Sequence, residues 1–458
     1  MSNIITNVKK DIPVMKLFIK EGNFYVYDTY NNLILRVNAG QYQELTKLYK
    51  YGIHWYKNLK TNMQSYKDII MLLERGFFRE PWIEKIEHPL TYLVEDIVTR
   101  KLNYMTLQVT QDCNFKCRYC LFTKNNGIER VHSTKNMSYV TAKDSIDYLW
   151  DHSKDSDTIL IGFYGGEPLL NYSLIKKVVE YANSRFETKR VKYNMTTNGS
   201  IINDEIIKFL TNNDFSLTIS LDGPSDIQNL HRKMYYSGDN SFDLVWKNVN
   251  RIRSQSPKWF DQKVIFHPVL LPGENVSPIY DFFDENSIHQ NKVQVVYANM
   301  AGIDYDSDFG QNQRLKIEDK ELMKRVMTQN NRTNLQEKYN DKKVISSVWH
   351  HNGPCVPGLK KIFIDVDGYI YPCEKVNSSC NNSIGSIYMR INEKKVQDFM
   401  NLGKMTEESC KECFAMRFCT QCMFDCYNPE TEENDITQKK IRCKQVIKST
   451  IKFLKETV

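Results

Sequence analysis

Three cysteines in the first third of the chain have the spacing of metal-cluster ligands. Cys113, Cys117 and Cys120 lie in the string CNFKCRYC, separated by three residues and then by two. Three thiolates this close together can hold three irons of a [4Fe–4S] cluster and leave the fourth iron without a protein ligand. Something other than the protein must fill that position, so the string predicts a site at which chemistry takes place.

A glycine pair followed by a glutamate is the second motif that could do chemistry. Gly165, Gly166, Glu167 and Pro168 come directly after a predicted strand that ends at Tyr164. The two glycines let the backbone approach a ligand closely, and the Glu167 carboxylate can accept hydrogen bonds from an ammonium group. A glycine pair can also be no more than a turn, but its position after the cysteine motif favours a binding role.

Together these strings resemble the motifs of radical S-adenosylmethionine (SAM) enzymes. The resemblance implies that SAM binds the open iron through its amino and carboxylate groups, and that the glycine–glutamate motif holds the amino group. It also implies that the reduced cluster gives one electron to SAM, which releases a 5′-deoxyadenosyl radical that removes a hydrogen atom from the substrate. The cofactor-binding residues implied in this way are Tyr119, Gly165, Gly166, Glu167, Asn198, Ser220 and Arg232.

Some of these assignments concern polar residues at the ends of later predicted strands. Ser220 and Arg232 resemble the serine and arginine that meet the methionine carboxylate in the family, and an arginine fork suits a carboxylate. Asn198 and Asp222 also follow predicted strands. Short polar side chains often satisfy the backbone of their own turns, so both roles remain open for these two residues.

The segment around these motifs alternates between predicted strands and helices. Helical patterns at 141–151 and 172–185 separate two pairs of strands, and such alternation builds a parallel sheet covered by helices. Six strands suit an α/β fold, a partial (β/α)6 TIM-like barrel over residues 100–310, with reactive groups at the carboxyl ends of the strands. The predicted strands are Met105–Thr110, Thr158–Tyr164, Lys192–Thr197, Phe215–Leu221, Val264–Leu270 and Lys292–Tyr297.

Residues 1–90 predict a separate N-terminal domain. Short strands are expected between residues 14 and 37, followed by helices near 40–50 and 64–75. Strands followed by helices in so short a segment resemble the winged-helix-like element that recognises leader peptides in the maturation of ribosomally made peptides. The alternative is a domain that only packs against the enzyme.

The other nine cysteines lie in a block between Cys355 and Cys443. A predicted hairpin around an Asp-Gly pair presents Cys373 at its end. The region 350–458 resembles the SPASM domain of radical SAM peptide-modifying enzymes, which carries two auxiliary [4Fe–4S] clusters. The auxiliary ligands drawn from the resemblance are Cys355, Cys373, Cys410, Cys413, Cys419, Cys422, Cys426 and Cys443.

The resemblance divides these cysteines between two clusters. The proximal cluster takes Cys355 and Cys373 with a third ligand from Cys422 or Cys426, because the spacing departs from the family pattern here. Cys380 is a further candidate, and an open iron on this cluster could bind a substrate thiolate. The distal cluster takes Cys410, Cys413, Cys419 and Cys443. The alternative is a structural zinc site formed by Cys410, Cys413, Cys419 and Cys422.

Composition and charge indicate the class of protein, the partners and the location to expect. The 458 residues are 41% hydrophobic and 26% charged, with a net charge of +7, as in a soluble protein of several domains. The charges are spread along the chain, so nucleic acid is not indicated. No stretch is long and apolar enough for a membrane span or a signal peptide, and we expect a cytoplasmic protein in which the cysteines bind metal. Residues 311–349 are polar and predict a linker.

The function that these features favour is the formation of thioether cross-links in a ribosomally made, Cys-rich precursor peptide. The resemblance implies SAM and three [4Fe–4S] clusters as cofactors, with the precursor peptide and a flavodoxin- or ferredoxin-like electron donor as partners. Alternatives are carbon–carbon cross-linking of such a peptide, anaerobic sulfatase maturation and, outside the enzymes, a zinc-stabilised binding protein. No general base is predicted, since His267, His289, His350 and His351 lie outside any recognised motif.

Overall fold

The computed structural model describes most of the chain. The described residues are 11–120, 122, 132–271, 273–297, 347–350, 355–359, 361–379, 381–428, 431 and 433–458. The predicted linker at 311–349 lies outside them except for its last three residues, as do Cys380 and His351. Within these ranges, no helix has the length and apolar character needed to cross a membrane.

An antiparallel sheet followed by helices forms the N-terminal part. The strands are β1 (Met15–Lys20), β2 (Asn23–Asp28) and β3 (Leu33–Val37), and the helices are α1 (Ala39–Tyr51), α2 (Ile53–Lys57) and α3 (Gln64–Glu74). Strand β2 lies between β1 and β3, because strands joined by short turns pair as hairpins. Val26, Leu48 and Ile69 are fully buried in one apolar cluster. These elements match the strands and the two helices predicted here, and they leave β3 at the edge of the sheet.

The central sheet is built from strand–helix units. After β4 (Lys85–Ile86) and α4 (Val94–Arg100), the strands are β5 (Tyr104–Thr110), β6 (Phe115–Cys117), β7 (Thr158–Gly165), β8 (Arg190–Thr197), β9 (Ser216–Ile219), β10 (Arg232–Met234), β11 (Val264–Phe266), β12 (Val269–Leu270) and β13 (Val296–Tyr297). The helices are α5 (Tyr139–His152), α6 (Tyr172–Arg185), α7 (Asp204–Asn212), α8 (Ser225–His231), α9 (Phe242–Gln255), α10 (Pro257–Lys263) and α11 (Ser277–Glu285). Strands β11, β9, β8, β7 and β5 lie side by side in that order and pair in parallel. The predicted α/β fold with a parallel sheet is therefore confirmed.

Two of the predicted strands differ from the structure. The segment predicted as Val264–Leu270 divides into β11 and β12, because Pro268 between them has no N–H to donate to a strand ladder. The segment predicted as Lys292–Tyr297 contributes only β13, since Gln290–Lys292 forms a 3₁₀ turn. Strands β12 and β13 pair with each other rather than with the main sheet.

Strands from the C-terminal region extend the central sheet. This region contains β14 (Val348–Trp349), β15 (Ile362–Ile364), β16 (Tyr369–Tyr371), β17 (Gly385–Ser386), α12 (Glu393–Met400), α13 (Glu407–Lys411), β18 (Tyr427–Asn428), β19 (Glu433–Asn434) and α14 (Ile436–Thr457). Strand β15 pairs in parallel with β5, and β16 returns antiparallel to β15. The turn between them contains Gly368 at φ +90°, a conformation that favours glycine. The hairpin has the antiparallel pairing predicted here, and its strands belong to the central sheet.

The last helix packs against the N-terminal sheet. Leu454 of α14 is buried in one cluster with Phe18 and Tyr27 of the N-terminal sheet. Lys20 donates to the Val458 carbonyl at 3.2 Å. The N-terminal sheet therefore packs on the C-terminal cysteine region as well as on its own helices.

Candidate functional site

The three cysteines of the first motif lie in the loop that leaves β5. Cys117 ends the short strand β6, which pairs antiparallel with β10. Burial raises the pKa of the Cys117 thiol to about 12, and the Cys120 thiol contributes to this rise. Burial also raises the pKa of Cys113, with smaller contributions that include Cys117 and Cys120. The fold therefore brings the three sulfurs near one another in a half-buried place.

The glycine pair allows two loops to touch. Gly165 has a φ of +153°, and a Cβ built on it would lie 2.2 Å from the carbonyl oxygen of Thr110. A Cβ on Gly166 would lie 2.0 Å from the carbonyl oxygen of Asp112 and 3.0 Å from Cβ of Cys113. The sequence suggested that the glycines serve the approach of a ligand. In the structure they let the loop after β7 pack directly against the loop that carries the cysteines.

The Glu167 carboxylate is fully buried at the carboxyl ends of β7 and β8. It accepts hydrogen bonds from the Leu169 N–H at 3.0 Å, the Thr197 hydroxyl at 2.7 Å and the Asn198 N–H at 2.7 Å. Burial raises its pKa to about 7, although these hydrogen bonds act in the opposite direction. A carboxylate has about four acceptor positions, so the three bonds leave room for one more donor, such as an ammonium group.

Arg232 is held by a buried aspartate. Its Nε and Nη2 donate to the two carboxylate oxygens of Asp222 at 3.0 and 3.2 Å, and both side chains are buried. The Tyr119 hydroxyl also donates to Asp222, and the guanidinium lies 5.2 Å from the centre of the Tyr119 ring. The Nη1 of Arg232 is 3.8 Å from Sγ of Cys117. This group of side chains therefore lies directly against the cysteine loop.

The arrangement differs from the roles expected for Arg232 and Asp222. The sequence assigned the arginine fork to the methionine carboxylate, but Asp222 occupies the fork and leaves Nη1 for another partner. Asp222 also accepts a hydrogen bond from the Val269 N–H at 2.9 Å. It is thus more than a turn residue, because it connects the ends of β9, β10 and β12.

Asn198 and Ser220 lie at neighbouring strand ends. The Asn198 side-chain oxygen accepts from the Ser200 N–H at 2.9 Å, which is the turn role left open above. Its amide group donates to Oδ1 of Asn114 in the cysteine loop at 2.9 Å. Ser220 follows β9, and its N–H donates to the Thr197 carbonyl at 2.9 Å. Both residues lie at the same edge of the sheet as the two buried carboxylates.

His132 is a site residue that the sequence did not reveal. Its Nε2 lies 3.4 Å from Sγ of Cys120, and its Nδ1 lies 3.1 Å from the Gln111 carbonyl oxygen. Burial lowers the pKa of His132, but the contacts with Cys120 and the carbonyl outweigh this effect and raise the pKa above its ordinary value. A single histidine beyond the motif carries no spacing signal, so only the fold identifies it.

Four C-terminal cysteines form one group. Burial raises the pKa of the Cys413 thiol to about 11, and Cys410 and Cys443 add to this rise. Burial raises the pKa of Cys419 to about 12, again with contributions from Cys410 and Cys443. Residues from α13, the turn after it and α14 thus meet in one place. The resemblance assigns these same four cysteines to the distal cluster, and that assignment stays a prediction.

A second group contains Cys355, Cys373 and Cys422. Burial raises the pKa of Cys373 to about 11, with a contribution from Cys355. Burial raises the pKa of Cys422 to about 12, and Cys373 contributes to it. Cys426 is fully buried within an apolar cluster. Cys422 therefore lies near Cys373, while the thiols that affect the pKa of Cys426 are those of Cys422 and Cys443.

Tyr164 lies between the first cysteine loop and this second group. Burial has the largest effect on its pKa and raises it, and Glu374, Cys120 and Cys373 add to the rise. The Tyr164 ring centre lies 6.4 Å from that of Phe363 in β15. The end of β7 thus faces both cysteine-bearing regions.

The donor sets suit iron–sulfur clusters. Each thiolate of a [4Fe–4S] cluster bonds a different iron, so the sulfurs need not converge on one point. In the part of the chain that the structure describes, no three His, Cys, Asp or Glu side chains are grouped to hold a single metal ion. The loop at 113–120 supplies three thiols against the glycine pair, which fits a cluster with one open iron.

Comparison with known proteins agrees with this fold and site. Residues 107–285 match the Radical SAM superfamily. A cysteine-type anaerobic sulfatase-maturating enzyme of Clostridium perfringens is 23% identical over 340 residues, which cover 69% of this chain and 87% of that enzyme. An uncharacterized protein of Methanocaldococcus jannaschii is 37% identical over 122 residues, covering 27% of this chain and 39% of that protein. The chain therefore contains a radical SAM domain, homologous to those of the anaerobic sulfatase-maturating enzymes.

A solved structure has the same fold. Native anSMEcpe with bound AdoMet and Cp18Cys peptide aligns with a TM-score of 0.53 and 20% identity, covering 77% of this chain and 98% of that one. At this identity the likeness concerns the fold alone. The radical SAM domain implies SAM and a [4Fe–4S] cluster as cofactors of this protein.

Proposed function

We propose that this protein is a radical SAM maturase that forms thioether cross-links in a ribosomally made, Cys-rich precursor peptide. The observation that carries the proposal is the extension of the barrel sheet by β15 and β16. Cys373 follows β16, and its neighbour Tyr164 also lies near Cys120. A substrate thiol bound at the second cysteine group would therefore face the SAM site.

Each group of residues has a part in this reaction. When bound, SAM and its reduced cluster supply a carbon radical that removes a hydrogen atom from the substrate. Glu167 accepts a hydrogen bond from the SAM ammonium, while Asp222 and Arg232 fix the cysteine loop through Tyr119. The two C-terminal cysteine groups would hold auxiliary clusters, which would supply an acceptor for the electron released when the sulfur–carbon bond forms. A flavodoxin- or ferredoxin-like protein supplies the electron that starts each cycle.

The N-terminal sheet is the proposed binding site for the leader of the precursor. Strand β3 pairs with β2 on one side, and no described strand pairs with its other side. A peptide can add to such an edge as a further strand through backbone hydrogen bonds. Binding there would hold the rest of the precursor near the barrel without requiring a fixed sequence around the modified residues.

Mass spectrometry tests the reaction directly. The anaerobically loaded enzyme is incubated with SAM, a reductant and a Cys-rich precursor, and each thioether should remove two hydrogen atoms from the peptide. Alkylation of the peptide cysteines before the reaction should abolish the change, because the sulfur is then blocked. Loss of two hydrogens from an alkylated peptide would contradict thioether formation and favour a carbon–carbon cross-link.

Sulfatase maturation is a second candidate because the sulfatase-maturating relative from Clostridium perfringens covers 69% of this chain. That reaction would convert a Cys or Ser of a protein substrate to an aldehyde. A peptide carrying a sulfatase modification sequence, incubated under the same conditions and treated with a hydrazide probe, would reveal it. Labelling of that peptide, together with unchanged precursor, would replace the first proposal by the second.

A further inference from the structure

Lys439 of α14 is a buried cation at the distal cysteine group. Its exposed fraction is 1%. Its Nζ donates to the Thr406 hydroxyl and lies 3.7 Å from Sγ of Cys410. An ammonium group is costly to bury unless an opposite charge lies close to it.

No described carboxylate supplies that charge. Ion pairs of other lysines in this region, such as Lys411 with Glu408 at 2.9 Å, lie at the surface. None of the ion pairs within the described ranges includes Lys439. The contacts of its ammonium group are instead the Thr406 hydroxyl and Sγ of Cys410, so the Cys410 thiolate is the negative charge that lies against it.

The polar atoms around Lys439 are arranged as donors to sulfur. Thr406 Oγ1 lies 3.3 Å from Sγ of Cys410. Gln421 Nε2 lies 3.6 Å from Sγ of Cys443 and also donates to the Lys439 carbonyl at 3.3 Å. Hydrogen bonds and positive charge beside cluster sulfurs stabilise the more negative, reduced form of an iron–sulfur cluster.

We infer that Lys439 is the counter-charge of an anionic iron–sulfur centre held by Cys410, Cys413, Cys419 and Cys443, and that it raises the reduction potential of that centre. The inference rests on the auxiliary-cluster part of the proposed function. It goes beyond that function by naming the residue that sets how readily the distal centre accepts an electron. Lys439 acts through the cysteine sulfurs and is therefore a positioning and tuning residue.

The test is a redox titration of the full-length, iron-loaded protein followed by electron paramagnetic resonance. Lys439→Gln removes the charge but keeps a polar side chain, and Lys439→Arg keeps the charge. Lys440→Gln is the matched control, because Lys440 is the next residue of the same helix and is exposed. In Lys439→Gln we expect the reduction potential of one transition to fall by about 59 mV. For a one-electron centre, this fall lowers the ratio of reduced to oxidised centre about tenfold at a fixed potential.

The outcomes separate a charge effect from a structural one. An unchanged potential in Lys439→Gln, or an equal shift in Lys440→Gln, would overturn the inference. Should Lys439→Gln fail to retain the distal irons, retention by Lys439→Arg would support a charge role and loss in both variants would overturn it. Zinc in place of iron at these cysteines would overturn it as well. No peptide is present in these measurements, so failure of cross-linking would not be mistaken for failure of this inference.

Discussion

The first cysteine motif and, as the second region compared, the distal cysteine group have different electrostatic surroundings. Beside the first, the two fully buried carboxyl groups of Glu167 and Asp222 outnumber one buried cation, Arg232. Beside the second, the buried cation Lys439 contacts Cys410. Carboxylates suit a ligand with cationic groups, as SAM has, whereas a buried ammonium suits an anionic centre. The difference favours SAM binding at the first region and electron storage at the second.

The two regions also differ in the elements that support them. The partners of the loop at 113–120 come from strand ends of the central sheet. The turn between the distal cysteines instead contacts the N-terminal part, since Arg417 donates to the Thr29 and Tyr30 carbonyls at 2.8 and 3.0 Å. Substitutions at the first region should therefore change the binding or cleavage of SAM. Substitutions at the distal cysteine group should change the stability of the N-terminal sheet.

Cysteine replacement should separate the two regions most strongly. Cys117→Ala removes a proposed ligand of the SAM-binding cluster, so SAM cleavage should be lost and iron should fall by about four per chain. Cys413→Ala should lower iron by a similar amount but leave SAM cleavage with a chemical reductant intact. Iron analysis and chromatography of 5′-deoxyadenosine measure both effects. Equal loss of SAM cleavage in the two variants would contradict the separation.

Asp222→Asn should destabilise the central sheet and the cysteine loop beside it. The substitution keeps the shape of the side chain but leaves the buried Arg232 without its counter-charge, a change that costs about 3–5 kcal/mol. The control is Asp214→Asn, whose pair with Lys263 is exposed and contributes at most about 1 kcal/mol. Urea denaturation gives the free energies of unfolding. Similar values for the two variants would show that Asp222 does not hold the cysteine loop.

Arg417→Ala should loosen the N-terminal sheet without affecting SAM binding. It removes two charge-assisted hydrogen bonds to backbone carbonyls, each contributing about 1.5–3 kcal/mol. Hydrogen exchange of residues 15–37 should become faster, while exchange in β7 and β8 stays unchanged. Arg417→Lys keeps the charge but not the fork and should show an intermediate effect. Unchanged exchange in the N-terminal strands would contradict the proposed contact.

The pH dependence of SAM binding should reveal Glu167. Burial raises its pKa to about 7, so the carboxyl group is mostly protonated below this pH and mostly ionised above it. Only the ionised form attracts the SAM ammonium, and affinity should therefore rise severalfold between about pH 6 and about pH 8. Calorimetric titration at each pH measures the affinity for SAM. Glu167→Gln should bind more weakly and lose this pH dependence, whereas a persistent rise would assign the effect to another group.

The parallel central sheet could be predicted from the sequence because it follows from local patterns, as do the motifs of the first cysteine region. Strand–helix alternation predicted five of the parallel strands, and the cysteine and glycine motifs each lie within a few residues. The sheet then brings Cys113, Glu167 and Asn198 together, because carboxyl ends of parallel strands share one edge. The sixth strand is shorter than predicted, since a 3₁₀ turn takes its first residue, Lys292, and only Val296–Tyr297 is strand.

Contacts between distant segments could not be predicted in the same way. Nothing in the sequence indicates that β15 pairs with β5 or that Asp222 occupies the fork of Arg232. Lys439 is one of many lysines in α14, and only the packing of that helix distinguishes it from the exposed Lys440. These features depend on tertiary packing, which leaves no spacing signal in a single sequence.

The central claim is that one chain combines a SAM-binding cluster with two auxiliary clusters. Iron, sulfide and zinc content of the anaerobically reconstituted protein tests it most directly. About twelve irons per chain with matching sulfide, three clusters of four, is the predicted result. About four irons together with zinc would contradict it, because the C-terminal cysteines would then be structural and the thioether proposal would lose its main support.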